Sequence, residues 1–215
     1  MEEALSVDNA RLDDLVAGLA REGWAAAATA LSPALTEGLL EEMTRRERAG
    51  ELKPAGIGRE VTADAEHVRR ACASWIDGRS QPEQAFLRIA DDLRRALNRR
   101  LYLGLFEFEA QFLLYPPGGF YARHVDSLAG ARNRVVSLVA YLNKGWRVED
   151  GGELVIWRGA DEQPVATIAP EAGTLVLLLS EEIPHEARAA TVTRRAIAGW
   201  FRLNASREGR IDVAR

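Results

Sequence analysis

Residues 120–126 read FYARHVD, and far downstream the chain continues PHEARAATVTRRAIAGWF from Pro184. These segments supply His124, Asp126 and His185: two imidazoles and a carboxylate. Side chains alternate faces along an extended strand, so His124 and Asp126 are expected on one side, able to grip one ion together. His185 must then arrive from a distant strand. Two histidines and one carboxylate are the donor face used for non-haem Fe(II), which leaves coordination positions open. A closed structural zinc site takes four ligands, usually with cysteine. The chain has one cysteine, Cys72. The set implies iron-dependent oxygen chemistry.

A second element adds to this. On the strand running from Arg194 to Trp200, the residues Arg194, Ala196, Ala198 and Trp200 share one face, while Arg195 points away. An arginine flanked by small residues on an inward face requires an anionic partner, and a carboxylate fits its bidentate fork. Without one, its desolvation would cost on the order of several kcal/mol. The strand therefore predicts a bound acid near the metal.

The elements that must position these residues follow from periodicity. The first hundred residues read mainly helical. Leu12, Leu15, Val16 and Leu19 have helix-face spacing, with Asp8 as a cap and Gly23 as a stop. Residues 24–31 fit either a helix or a buried strand. Ser32-Pro33 opens a second helix with Leu35, Leu39, Leu40 and Met43 on its apolar face. Ser80 and Glu83 have capping-box spacing ahead of a third helix burying Phe86, Ile89, Leu93 and Leu97. Between them, 50–79 reads as a mobile, irregular loop. From residue 103 the period changes to two. Strands are expected over 105–115, 120–126, 134–142, 153–158, 165–169, 173–179 and 194–203. Helices followed by strands suit one domain over 1–215, with a helical buttress at 1–102 and a β core at 103–205.

The chain has 215 residues, 47% hydrophobic and 28% charged, which is globular composition. The start, MEEALSVDNARLDD, is acidic and lacks the apolar run of a secretory signal. No stretch approaches the roughly 20 apolar residues that span a bilayer. A lone cysteine suits a reducing compartment, so a cytoplasmic location is expected. The net charge of −4 shows no basic field for nucleic acid. Arg45-Arg46, Arg94-Arg95 and Arg99-Arg100 read as solvated helix faces. His67 and Cys72 have no partners in sequence that mark them for chemistry.

YARHVD, YLNKGW at 141–146, GGEL at 151–154, and PHE with TRRAIAGWF together resemble the Fe(II)- and 2-oxoglutarate-dependent dioxygenases. Within these they are similar to the prolyl hydroxylases related to the oxygen-sensing hydroxylases of animals. The resemblance is strong from Tyr115 to Phe201. It implies an α+β fold with a double-stranded β-helix (jelly-roll) core buttressed by N-terminal helices. It also implies Fe(II) at His124, Asp126 and His185, with 2-oxoglutarate and O2 as cosubstrates. Arg194 would pair with the far carboxylate of 2-oxoglutarate, helped by Tyr141, with Tyr115 and Leu154 lining that pocket. Read alone, either tyrosine is equally a core aromatic. Arg134 and Tyr121 match the substrate entrance, Trp200 an apolar pocket position, and Trp75 the substrate-facing loop. The implied reaction decarboxylates 2-oxoglutarate to succinate and CO2 while hydroxylating a substrate C–H bond.

At that loop the family generally has Arg-Gly-Asp before Trp-Ile, whereas Arg69-Arg70-Ala71-Cys72 stands here. The acid that helps recognise the peptide is therefore absent from that place. Bacterial members of this group hydroxylate a proline of elongation factor Tu, which is the leading substrate expectation. Three alternatives stay open: an oxygenase acting on a free amino acid or other small molecule, a nucleic-acid demethylase, and a non-catalytic jelly-roll module that binds 2-oxoglutarate. WFRLNASREGR only faintly imitates the arginine-rich continuation of the demethylases.

Overall fold

A computed structural model describes residues 9–55, 68–127, 133–159 and 163–203. The expected cap Asp8, the lone His67 and the tail beyond Leu203 lie outside the described residues.

Three helices form as their apolar spacing requires. Helix α1 (Asn9–Glu22) buries Leu12, Leu15, Val16 and Leu19. It stops at Gly23, whose φ of 77° lets its N–H reach back to the Leu19 carbonyl. Helix α2 (Pro33–Arg48) starts where the Ser32 hydroxyl accepts from the Leu35 N–H, with proline in its first turn. Helix α3 (Gln81–Leu101) carries the expected capping box between Ser80 and Glu83.

The strands build two antiparallel sheets. The larger contains β1 (Trp24–Ala27), β2 (Lys53–Pro54), β3 (Cys72–Trp75), β4 (Glu107–Tyr115), β6 (Arg134–Tyr141), β9 (Leu175–Leu179) and β11 (Arg194–Arg202), in the order β1-β9-β6-β11-β4-β3-β2. The smaller contains β5 (Tyr121–His124), β7 (Leu154–Trp157), β8 (Pro164–Ile168) and β10 (His185–Ala187), in the order β5-β10-β7-β8.

The period of two sorts the large sheet into its two faces. Phe112, Leu114, Val136, Leu177, Ile197 and Phe201 pack with the helices in one core. Tyr141, Val176, Leu178 and Ala196 turn the other way and meet Leu154 and Ile156 of the small sheet. Central strands buried on both sides explain near-continuous apolar runs such as LVLLL. Gly199 is required on the helix-facing side, because a Cβ there would lie 2.4 Å from the Phe108 ring.

One open choice is settled and two expectations change. Residues 24–27 form a strand, since pairing to β9 buries Ala25 and Ala27 at the sheet's edge. The 50–79 stretch is not wholly irregular: β2 and β3 lengthen the large sheet by pairing onto β4. The mobility expected of 50–79 falls in good part on residues 56–67, outside the described residues. Strand β10, the distant strand expected to bring in His185, had no range among the expected strands, since HEA has no apolar alternation and is held from both sides by β5 and β7. No helix among the described residues is long and apolar enough to cross a membrane.

Candidate active site

The triad assembles at one rung of the small sheet, where His185 of β10 stands directly opposite His124 of β5. Strand β5 ends at His124, so Asp126 reaches the site from the bend that follows rather than from a continued strand. His124 Nε2 lies 3.4 Å from Asp126 Oδ1, and His185 Nε2 lies 3.7 Å from Oδ2. One ligand atom from each residue falls within 4.8 Å of the others.

The other ring nitrogens set the histidine tautomers. His124 Nδ1 is 2.8 Å from the Ala122 carbonyl, and His185 Nδ1 is 3.0 Å from the Ile183 carbonyl. A carbonyl only accepts, so each Nδ1 carries the proton and each Nε2 lone pair faces its partners. Burial pushes the His185 imidazole toward its neutral form. Burial also pushes the Asp126 carboxyl up, but His185, His124 and a Ser137 hydroxyl outweigh it and hold the group well below the usual range. A neutral His185 imidazole beside an ionised Asp126 carboxylate suits metal binding. This donor set fits ferrous iron.

A cavity of about 1030 Å³ opens from the triad. Its inner end is lined by Tyr115, Tyr141, Leu154, Arg194 and Ala196. Arg194 is 1% exposed. One of its terminal nitrogens donates to the Gly152 carbonyl at 2.6 Å and the Arg188 carbonyl at 3.2 Å, and its carbon lies 4.0 Å from the centre of the Tyr115 ring. Tyr115 sits opposite Arg194 across the β4–β11 ladder. The Nε of Arg194 has no hydrogen-bond partner, and among the described residues no carboxylate pairs with this buried guanidinium. A carboxylate ligand would supply the missing charge. Burial raises the Tyr141 phenol, despite the opposing pull of Arg194, so it stays a neutral hydroxyl donor. Ala187, Ala196 and Ala198 leave room around these groups.

The mouth holds the remaining sequence candidates. Tyr121 stacks on the His124 ring with centroids 3.5 Å apart, and the Arg69 guanidinium covers the same tyrosine at 4.7 Å. Burial pushes the Tyr121 phenol up to about 12. Arg134 lies over the Trp200 ring at 3.7 Å and is clamped by Glu109 at 2.8 Å. Trp75 faces Trp200 with centroids 6.5 Å apart and is 45% exposed at the rim.

The family model of the 2OG-Fe(II) oxygenase superfamily matches residues 110–202. A Pseudomonas putida prolyl-4-hydroxylase is 43% identical, with a TM-score of 0.82 over 89% of this chain and 98% of that one. The chain belongs to the prolyl hydroxylase-like 2OG-Fe(II) oxygenases. This family uses Fe(II), 2-oxoglutarate and O2. Human Egl nine homolog 1 is 33% identical over 144 residues, and the rat protein of that name is 32% identical over 142. These stretches cover 62% of the oxygenase but only 33% and 41% of the two relatives' own lengths. A Trichoplax adhaerens prolyl hydroxylase, solved with a hypoxia-inducible-factor peptide, shares the fold with a TM-score of 0.79 at 24% identity, over 89% of this chain and 88% of that one. The jelly-roll expectation holds.

Several residues around the oxygenase's site escaped sequence reasoning. Arg46 was read with its neighbours as a solvated face, yet it is 0% exposed. It donates to Glu42, Ser74, Asp77, Glu83 and the Trp75 carbonyl, which satisfies a buried guanidinium in full. The ring of charge continues from Glu42 to Arg45 at 2.8 Å, to Glu51 at 3.3 Å, to Arg79 at 2.8 Å, and to Asp77 at 2.8 Å. It closes from Asp77 back to Arg46 at 3.0 Å. This ring ties α2 to the segment carrying Trp75. Glu109 was also missed. Alternating acids in EFE at the start of β4 were its signal, because a charge repeated on one strand face seeks a partner across the ladder. Ser137, the polar residue inside RVVSLVAY, carried a similar signal.

Proposed function

We propose that this oxygenase is an Fe(II)- and 2-oxoglutarate-dependent dioxygenase that hydroxylates a prolyl residue of a protein, with elongation factor Tu the leading substrate. The observation that carries the reading is Arg194: a buried cation without a carboxylate partner, facing the same cavity as the two histidines and Asp126. In this reading His124, Asp126 and His185 hold the metal. Arg194 and Tyr141 hold the far carboxylate of 2-oxoglutarate, against walls formed by Tyr115 and Leu154.

Bound iron would supply the oxygen activation that couples decarboxylation of 2-oxoglutarate to hydroxylation of a C–H bond. The protein's own part is binding, orientation and exclusion of water. His124 and His185 present Nε2 because backbone carbonyls hold the opposite nitrogens. Asp126 would offset part of the metal's charge. The guanidinium of Arg194 would fix which way the keto acid lies in the cavity it shares with the triad. Leu154 and Tyr115 of the packed sheets keep bulk water from that end. At the mouth, Trp75, Trp200, Arg134 and Tyr121 would seat the substrate. Aromatic walls there suit a pyrrolidine ring, and a cavity reaching an exposed rim suits a segment of a larger protein. Identity over nearly the whole length of the bacterial prolyl-4-hydroxylase supports the prolyl target. The choice of elongation factor Tu rests on the family resemblance alone.

The test measures succinate from the purified chain with Fe(II) and 2-oxoglutarate, with and without intact elongation factor Tu, and reads that protein by mass spectrometry. Stimulated turnover with one added oxygen on a proline is expected. Succinate without any oxygen on that protein would remove elongation factor Tu and direct the search to other proteins or a small molecule. No succinate from iron-loaded protein would overturn the enzyme.

A further inference from the structure

The β6–β11 ladder stops at the pair Tyr141 and Ala196, although β11 begins at Arg194. Arg194 and Arg195 are paired to β4 on one side and have no strand on the other. A strand end with one open side is where a sheet opens first. Yet this end carries the buried guanidinium of the inner pocket.

A side chain supplies the missing rung. Asn143 Oδ1 accepts from the Arg195 N–H at 2.7 Å. Its Nδ2 donates to the Arg195 carbonyl at 3.0 Å and to the Pro170 carbonyl at 2.7 Å. The amide's acceptor and both of its N–H groups are thereby engaged. Turned over, the oxygen would face two carbonyls, so the network fixes the amide's orientation. Asn143 is 8% exposed and is not among the residues that line the cavity.

The same YLNKGW run also reaches the far end of Arg194. The guanidinium donates to the Gly152 carbonyl, and the Trp146 indole N–H donates to the neighbouring Gly151 carbonyl at 2.9 Å. The Trp146 ring lies against Gly152, where a Cβ would come within 3.1 Å of it. Gly152 has a φ of 74°, a conformation that glycine takes without strain. Trp146 thus holds the turn whose carbonyl receives the guanidinium.

We propose that Asn143 and Trp146 brace Arg194 from its two ends, Asn143 through the backbone of the strand and Trp146 through the turn that meets the guanidinium. Both are positioning residues, since they act through Arg194 and touch no ligand themselves. The brace deepens the 2-oxoglutarate reading above and rests on it. It sets the carboxylate-binding end of the cavity before a keto acid arrives, so that little ordering is left to be done on binding.

The experiment is a calorimetric titration of the full chain loaded with Mn(II), oxygen excluded, comparing 2-oxoglutarate with oxalate. Oxalate chelates a metal ion but has no far carboxylate. Asn143→Ala is expected to weaken 2-oxoglutarate binding roughly tenfold and Trp146→Phe roughly fivefold, the scale of one or two net hydrogen bonds. Oxalate affinity should stay within about twofold of wild type, whereas a general loosening of the fold would weaken both ligands alike. Unchanged 2-oxoglutarate affinity in either variant overturns the brace, as does an equal loss for oxalate. If Asn143→Ala does not fold, Trp146→Phe decides on the same two ligands. Arg194→Ala separates the two failures. Should it leave 2-oxoglutarate affinity unchanged, the cosubstrate reading falls and the brace with it; should it weaken binding while Asn143→Ala does not, the brace alone falls.

Discussion

Arg194 concentrates the chemistry of the inner pocket into one side chain. Truncating one member of a buried, hydrogen-bonded charge pair costs about 2–5 kcal/mol. Arg194→Ala should therefore raise the apparent KM for 2-oxoglutarate at least roughly 30-fold, measured as succinate formation across cosubstrate concentrations. An unchanged KM would remove the residue from cosubstrate binding. Asp126→Ala should abolish metal-dependent succinate formation while the apo protein stays folded, and a purified variant with full turnover would refute the ligand assignment. These two positions were legible in the sequence for physical reasons. An arginine in a row of alanines and a histidine–aspartate pair with alternate spacing are both costly unless something binds there. Ser137 and Glu109 were not singled out, because a serine or glutamate in a strand is cheap at a surface. Only the register shows which face it takes.

At the scale of elements, the charge ring between α2, the β3–α3 segment and α3 decides how firmly Trp75 is held. Breaking a buried ion pair from one side costs about 3–5 kcal/mol, so Arg46→Met should lower unfolding free energy by that order in a denaturant titration. The ring also predicts an acid dependence. The hydrogen bond from Arg45 holds the Glu42 carboxyl down to about 2, from an ordinary value of 4.5. A carboxyl held low in the fold stabilises it fully above its unfolded value, and the gain is lost as pH falls through the folded one. The stability difference between wild type and Glu42→Gln should thus be largest above about pH 4.5 and shrink toward pH 2. A difference independent of pH would show that Glu42 acts through packing. Helices α1, α2 and α3 were legible from their stripes and caps. Strands β2 and β3 were not, because a two-residue strand holding Pro54 has no periodicity of its own and exists only through its partners. Arg46 was hidden for a related reason: apart from Glu42, its partners come from residues 74–83, and adjacent Arg45 is a surface residue.

For the molecule as a whole, two sheets of unequal size share one cavity but differ in support. The large sheet has helices packed on one face and the small sheet on the other. The small sheet ends in β5, a strand of four residues with an interrupted register. Its register places His124 opposite His185. A divalent ion held by both would therefore act as a removable cross-link between chain segments about 60 residues apart, closing a loop whose entropy the unliganded fold must bear without it. At a hundredfold excess over its dissociation constant such a ligand adds about 2.7 kcal/mol to the folded state. Amide hydrogen exchange should register the gain unevenly: adding Mn(II) with 2-oxoglutarate slows exchange in β5 and β10, while β4, β6 and β11 keep the rates of the metal-free protein. Uniform slowing across both sheets would mean that the ion stabilises only global unfolding. On the expected outcome, metal supply sets not only whether the site can react but whether one edge of the barrel stays shut, so that an iron-starved cell would hold this protein in a form more open to proteases at that edge.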